Sequence, residues 1–132
     1  GGLPGGAWRR KLSAAMAELF RSMAREHVAH PDTKPSNFLV RTDGEQVRVW
    51  IVDLDRVSFD ATADQSWWVE HLARLDSGLP ADVNLRDRLR FLRDCGRGRW
   101  SRAERLALAR LVREKSLERG PEWMREELEG GS

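Results

Sequence analysis

The feature that most limits this chain's fold is a double interruption after a long helical pattern. Trp8, Leu12, Ala15, Met16, Leu19, Phe20 and Met23 recur at three- and four-residue steps, so residues 7–28 read as one amphipathic helix. Pro31 and Pro35 then forbid a regular helix through "HPDTKPSN" at 30–37. The period changes to two directly afterwards. "NFLVR" and "QVRVWIVD" read as strands joined by "TDGE", where Asp43-Gly44 is a hairpin signal. Val47, Val49 and Ile51 face one side of the second strand, and Arg48, Trp50 and Val52 the other.

Past Asp60 the helical period returns. Asp64 caps a segment carrying Trp68, Leu72 and Leu75, which "SGLP" ends. Asn84 caps the next, with Leu85, Leu89, Leu92 and Cys95 on one face and Gly96 as its stop. Ser101 and Glu104 form a capping box for a helix to about Arg119. Gly120-Pro121 ends it and opens a short last one. The expected fold is mainly α with a small antiparallel β-hairpin at about 38–53. "GGLPGG" at 1–6 and the tail at 130–132 read as linker-like ends around a domain at 7–129, so the chain reads as a piece of a longer protein.

Apolar residues at 40% and charged ones at 33% suit a packed, water-soluble domain. A net charge of +2 gives no argument for nucleic acid. Cys95 stands alone, which excludes an internal disulfide and suits a reducing, cytoplasmic setting. No strictly apolar run, Val49–Val52 included, exceeds four residues, far too short to span a bilayer.

The 30–37 loop holds a His, an Asp, a Lys and an Asn in eight residues, and a strand ending in Asp53 follows. Phosphoryl transfer from ATP to a hydroxyl needs such a set. The protein must hold Mg2+, orient the hydroxyl and offset negative charge. Magnesium takes oxygen ligands and keeps waters and phosphate oxygens among them, so one carboxylate and one amide oxygen suffice. Hairpin geometry can return the end of the second strand to the start of the first, which lets Asn37 and Asp53 share a metal while Asp32 faces the acceptor.

"HPDTKPSN" resembles the catalytic loop of the protein-kinase fold, His-Arg-Asp-Leu-Lys-Pro-x-Asn, and "VDLD" resembles its Asp-Phe-Gly segment. Together with "LARLDSGLPADVNLRDRLRFLR", these stretches most resemble the lipopolysaccharide core kinases that phosphorylate Kdo or heptose. The resemblance covers most of residues 10–118. It implies a protein-kinase-like C-terminal lobe: catalytic loop 30–37, metal-binding Asp segment 53–56, helical part 64–129. It also implies roles: Asp32 as the catalytic carboxylate, Lys34 on the transferring phosphate, Asn37 and Asp53 on magnesium, His30 as a brace between the loop and the Asp53 segment. ATP and Mg2+ are the implied cofactors. A lipopolysaccharide core sugar or another small alcohol is the implied acceptor, at the cytoplasmic side of the inner membrane with peripheral contact to it.

Several departures bear on regulation and completeness. Pro31 replaces the arginine that in many protein kinases pairs with a phosphorylated activation loop, no Ala-Pro-Glu follows Asp53, and Asp55 replaces the glycine of Asp-Phe-Gly. A protein substrate is therefore disfavoured. No glycine-rich loop or strand lysine precedes His30, and Lys11 lies in a helix pattern. The resemblance thus implies that an N-terminal lobe or a partner chain supplies the nucleotide grip. The alternatives are a kinase-fold phosphotransferase for another small alcohol, and a non-catalytic binding module.

Plainer readings stand beside several of these. The loop residues also suit an ordinary turn. Asp55 and Arg56 read equally as metal and substrate contacts or as a surface ion pair. The basic tract from Arg86 to Arg105 reads foremost as a solvated face, since Asp87, Asp94 and Glu104 interrupt it; contact with lipid or sugar phosphates is the second reading. Trp67 and Trp68 read as core before ligand platform, and Cys95 as buried and inert.

Overall fold

The computed structural model describes residues 5–125. In chain order it comprises α1 (Gly5–Arg25), a 3-10 turn (Pro35–Asn37), β1 (Phe38–Asp43), β2 (Gln46–Ile51), α2 (Gln65–Gly78), α3 (Leu85–Cys95) and α4 (Arg102–Glu118). A helical turn at 122–125 follows Pro121. The architecture is mainly helical with one antiparallel hairpin, as the periodicity predicts. Residues 1–4 of the expected N-terminal linker and the tail at 130–132 lie outside the described residues, while Gly5 and Gly6 belong to α1.

The caps fall where their side chains require. Asp64 accepts from Trp67 N–H, Asn84 from Asp87 N–H, and Ser101 with Glu104 completes a capping box. Each uses a short side-chain oxygen to satisfy an N–H that the first helical turn leaves unpaired, typically worth about 1 kcal/mol. Helix α1 stops at Arg25 rather than Val28. His27 takes φ 58°, Val28 N–H reaches back to Met23 O at 2.9 Å, and His27 N–H to Ala24 O at 3.3 Å. That pattern closes a helix with a left-handed residue, a place usually held by glycine. A histidine there gives no sequence signal.

The hairpin pairs Phe38 with Ile51 and Asp43 with Gln46. Gly44, at φ 63°, takes the turn conformation that a side chain resists. Val47, Val49 and Ile51 lie toward α1 and Trp50 outward, as the alternation predicts. The strands run 38–43 and 46–51, shifted from the expected 37–41 and 46–53, because the 3-10 turn holds Asn37 and Asp53 leaves the extended region.

Helix α1 packs on α3 and β2, and α2 packs on α4. Phe20, fully buried, is central to the core: it stacks on Phe38 and meets Phe91 edge-on, both at 5.8 Å. Burying such a ring contributes about 1.5–3 kcal/mol. Trp67, Trp68 and Trp100 make a second aromatic cluster, with Trp68 edge-on to each of the other two at 4.9 Å. Both Trp67 and Trp68 are core, as the plainer reading held. Cys95 is wholly buried, and burial, helped by the Asp94 carboxylate, pushes its thiol far above the usual range.

The apolar face expected for α3 splits in two. Leu92 and Cys95 enter the core, but Leu85 is 65% exposed and Leu89 40%. Both line an open cavity of about 580 Å³ with Met16, Val40, Leu75 and Leu106. Within the basic tract Arg88 pairs with Asp76, Arg90 with Asp87 at 3.6 Å, and Arg93 and Arg97 with Asp94 at 3.8 and 3.4 Å.

Candidate active site

The 30–37 loop leaves α1 and runs beside the segment after β2. Ala29 and Ser58 exchange two backbone bonds of 2.9 Å, and Val52 N–H donates to Asn37 O at 2.8 Å. These links place Asp53 one residue beyond the partner of Asn37.

His30 is 1% exposed, and its bonds fix its tautomer. Nδ1 accepts the Asp32 N–H at 2.9 Å, so Nε2 carries the hydrogen and donates to Val52 O at 3.1 Å. The ring therefore ties the loop to the strand end ahead of Asp53. Asn37 Nδ2 donates to Asp32 O at 2.8 Å, and Lys34 Nζ pairs with Asp32 Oδ2 at 3.2 Å. Asp32, Lys34 and Asn37 are thus joined directly. Asp53 is joined to them through the backbone pair of Asn37 and Val52 and through His30. Its side chain is exposed, and its φ of 62° is a strained value for a residue with a Cβ. Asp55 and Arg56 are exposed, with no ion pair between them among the described residues.

Helix α2 supplies a support that the sequence reading missed. His71, 3% exposed, accepts the His30 N–H on Nε2 at 3.0 Å and donates Nδ1–H to Trp67 O at 2.8 Å. Thr33 Oγ1 donates to His71 O at 2.7 Å, and Arg74 donates to His30 O at 2.9 Å. The Trp67 indole stacks on His71 at 4.0 Å and donates to Val28 O at 3.0 Å. Desolvation by burial lowers the His71 pKa to about 4, with the Arg74 charge acting in the same direction. Gly78, at the end of α2, lies against the Pro35 ring. The sequence offers one weak hint of this set, the i, i+4 spacing of Trp67 and His71; their loop partners lie about forty residues upstream.

Among the described residues no group of three or more His, Cys, Asp or Glu side chains forms a metal cluster. A site of one amide and one carboxylate oxygen is a different arrangement. With Asn37 Nδ2 committed to Asp32 O, Oδ1 remains as an oxygen donor, and the Asp53 carboxylate is open to solvent. Two hard oxygen donors of this kind suit magnesium.

A helical lobe bearing a short hairpin, with an Asp-x-Lys-x-x-Asn loop tied to an Asp segment, defines a protein of the kinase-like fold. The solved structure "WaaP in complex with acyl carrier protein" matches with a TM-score of 0.71 and 28% identity, over 87% of this chain and 51% of that one. The sequence profile of the Lipopolysaccharide kinase (Kdo/WaaP) family matches residues 2–95, and the chain belongs to that family. It spans about half the length of the WaaP chain it matches. Curated proteins give no match.

Proposed function

We propose that this lobe carries the acceptor and metal side of an ATP- and Mg2+-dependent kinase acting on a sugar hydroxyl of lipopolysaccharide core, Kdo or heptose. The observation that carries the reading is the His30 bridge: one buried ring bonds both Asp32 N–H and Val52 O, so the acceptor carboxylate and the Asp53 segment keep one register. Asp32 accepts the proton of the attacking hydroxyl. Lys34, already at 3.2 Å from Asp32, swings between that carboxylate and the transferring phosphoryl, whose negative charge it offsets. Asn37 Oδ1 and the Asp53 carboxylate would hold Mg2+, which would supply positive charge to offset that of the nucleotide phosphates.

The nucleotide grip is proposed to come from an N-terminal lobe or a partner chain, because this sequence has no glycine-rich phosphate loop ahead of His30. The setting proposed is the cytoplasmic face of the inner membrane, with peripheral contact; among the described residues no helix is long and apolar enough to cross a membrane. The test is transfer from labelled ATP to deacylated lipopolysaccharide core. Full-length protein should label the sugar and the isolated chain should not. Labelling of an aminoglycoside or choline-like alcohol in preference to core would move the reading to another small-molecule kinase. No labelling of any acceptor, together with no Mg–nucleotide binding, would leave the binding-module reading.

A second observation favours a protein partner. The cavity of about 580 Å³ is lined mainly by apolar side chains, with both arginines (Arg9, Arg110, Arg113) and carboxylates (Asp76, Asp82, Asp87) among its charged residues. The WaaP structure is a complex with acyl carrier protein. We infer that the cavity accepts the acyl group of such a carrier. Retention of acylated but not apo carrier on the immobilised protein tests this.

A further inference from the structure

The phosphotransferase reading uses the loop residues and leaves unexplained a buried histidine on a different element. We propose that His71 is the positioning residue of the 30–37 loop: its neutral Nδ1–H ring holds the His30 amide and so keeps Asp32 in register with Asn37 and the Asp53 segment. The proposal rests on the kinase reading for its catalytic consequence and on geometry alone for its structural one.

The chain of contacts is continuous. Nδ1–H of His71 is committed to Trp67 O on its own helix, which leaves Nε2 an acceptor aimed at the loop. That acceptor takes the His30 N–H, and the same residue's ring then bonds Asp32 N–H and Val52 O. Asp32 O in turn receives Asn37 Nδ2. His71 fixes the loop a second time through its carbonyl, which takes the Thr33 hydroxyl at a wholly buried position. The stack on Trp67 sets the ring plane, and the Trp67 indole holds the loop's entry at Val28.

An acceptor nitrogen here makes the support conditional on protonation. With a proton on Nε2, two donors would face each other at 3.0 Å in a site from which water is excluded, and the His30 amide would be left unpaired. The surroundings keep the ring neutral. From the loop it faces His30, on its own helix Arg74 and Glu70; Arg74 pairs with Glu70 at 3.7 Å, and Glu70 also receives Lys115 of α4 at 3.2 Å. Asp32 and Arg119 act on Arg74 from the other sides. Burial is the largest cause of the lowered His71 pKa, consistent with a ring built to stay uncharged.

The test compares His71→Phe and His71→Gln in the full-length protein by amide hydrogen exchange and by kinetics. Phe keeps a ring of similar size without an acceptor. Gln can place Oε1 where Nε2 stands and does not titrate. Expected for His71→Phe are exchange at the His30 and Asp32 amides faster by about tenfold, the loss of one buried bond, and a fall in kcat with KM for ATP little changed. His71→Gln should restore both and should remove the acid loss of amide protection expected of the wild type as pH drops toward 4. Unchanged protection in a folded His71→Phe overturns the proposal. Where the Phe variant does not fold, an acid limb retained by His71→Gln overturns it instead. The expected exchange pattern in a wild type that transfers no phosphate sinks the kinase reading alone, because amide protection does not depend on turnover.

Discussion

Gly78→Ala tests whether helix α2 sets the position of the loop. Gly78 is not in an unusual backbone region; space is what it needs. A Cβ built there would stand 3.0 Å from Pro35 Cγ, 3.7 Å from Pro35 N and nearer still to Cδ. Carbon atoms pack best at about 3.5–4.0 Å, so the two groups must separate by about 1 Å. The pyrrolidine ring cannot rotate away, since it is closed onto the backbone. Helix α2 is anchored by Trp67, Trp68, Leu72 and Leu75 in the core, so the loop gives way rather than the helix. Pro35 lies between Lys34 and Asn37, and the shift passes directly to both. Overpacking of this kind costs about 1–3 kcal/mol, a fall of several degrees in Tm. A displacement near 1 Å at a transfer site can cost about a hundredfold in rate. The assay pairs thermal unfolding with transfer to core oligosaccharide by the full-length protein. Gly5→Ala is the control, because nothing lies within 4 Å of its added Cβ. A Gly78→Ala protein with wild-type Tm and rate would refute the coupling of α2 to the loop.

Other expected outcomes follow from the same geometry. Asp32→Asn should leave ATP binding nearly intact and cut the full-length enzyme's transfer rate by roughly a hundredfold or more, whereas Asp53→Ala should also weaken Mg–nucleotide binding in a titration. Stability should depend on His71: its pKa is lowered from 6.5 to about 4 on folding, so the unfolded chain binds its proton first. The fold should be fully supported above pH 6.5 and lose on the order of 3 kcal/mol as pH falls to 4, a loss that His71→Gln should shrink in urea titrations. Cys95 should resist iodoacetamide in the native protein and react on unfolding, since it is wholly buried and its thiol is held neutral.

What the sequence determined by itself is local. The caps at Asp64, Asn84 and Ser101 and the alternation of β2 each rest on atoms a few residues apart and appear at their expected places; the hairpin turn forms within "TDGE", but on Gly44-Glu45, one residue past the Asp43-Gly44 signal, because Asp43 still pairs with Gln46. The Asp32, Lys34 and Asn37 cluster was legible for the same reason: eight residues confined by two prolines leave little conformational choice. Tertiary structure decided what lies across the fold. Trp67, His71, Arg74 and Gly78 reach the loop from α2, and Val52 reaches it from the segment just after β2, at separations where spacing carries no signal. The left-handed conformations of His27 and Asp53 belong to the same class, because neither residue type requires them. So does the division of α3, where helical periodicity puts Leu85 and Leu92 on one face but only the neighbouring helices determine that Leu92 is buried while Leu85 is left exposed. A side chain's local hydrogen bonds are fixed by its near neighbours in sequence; its burial and its distant partners are fixed by which helix is packed against it.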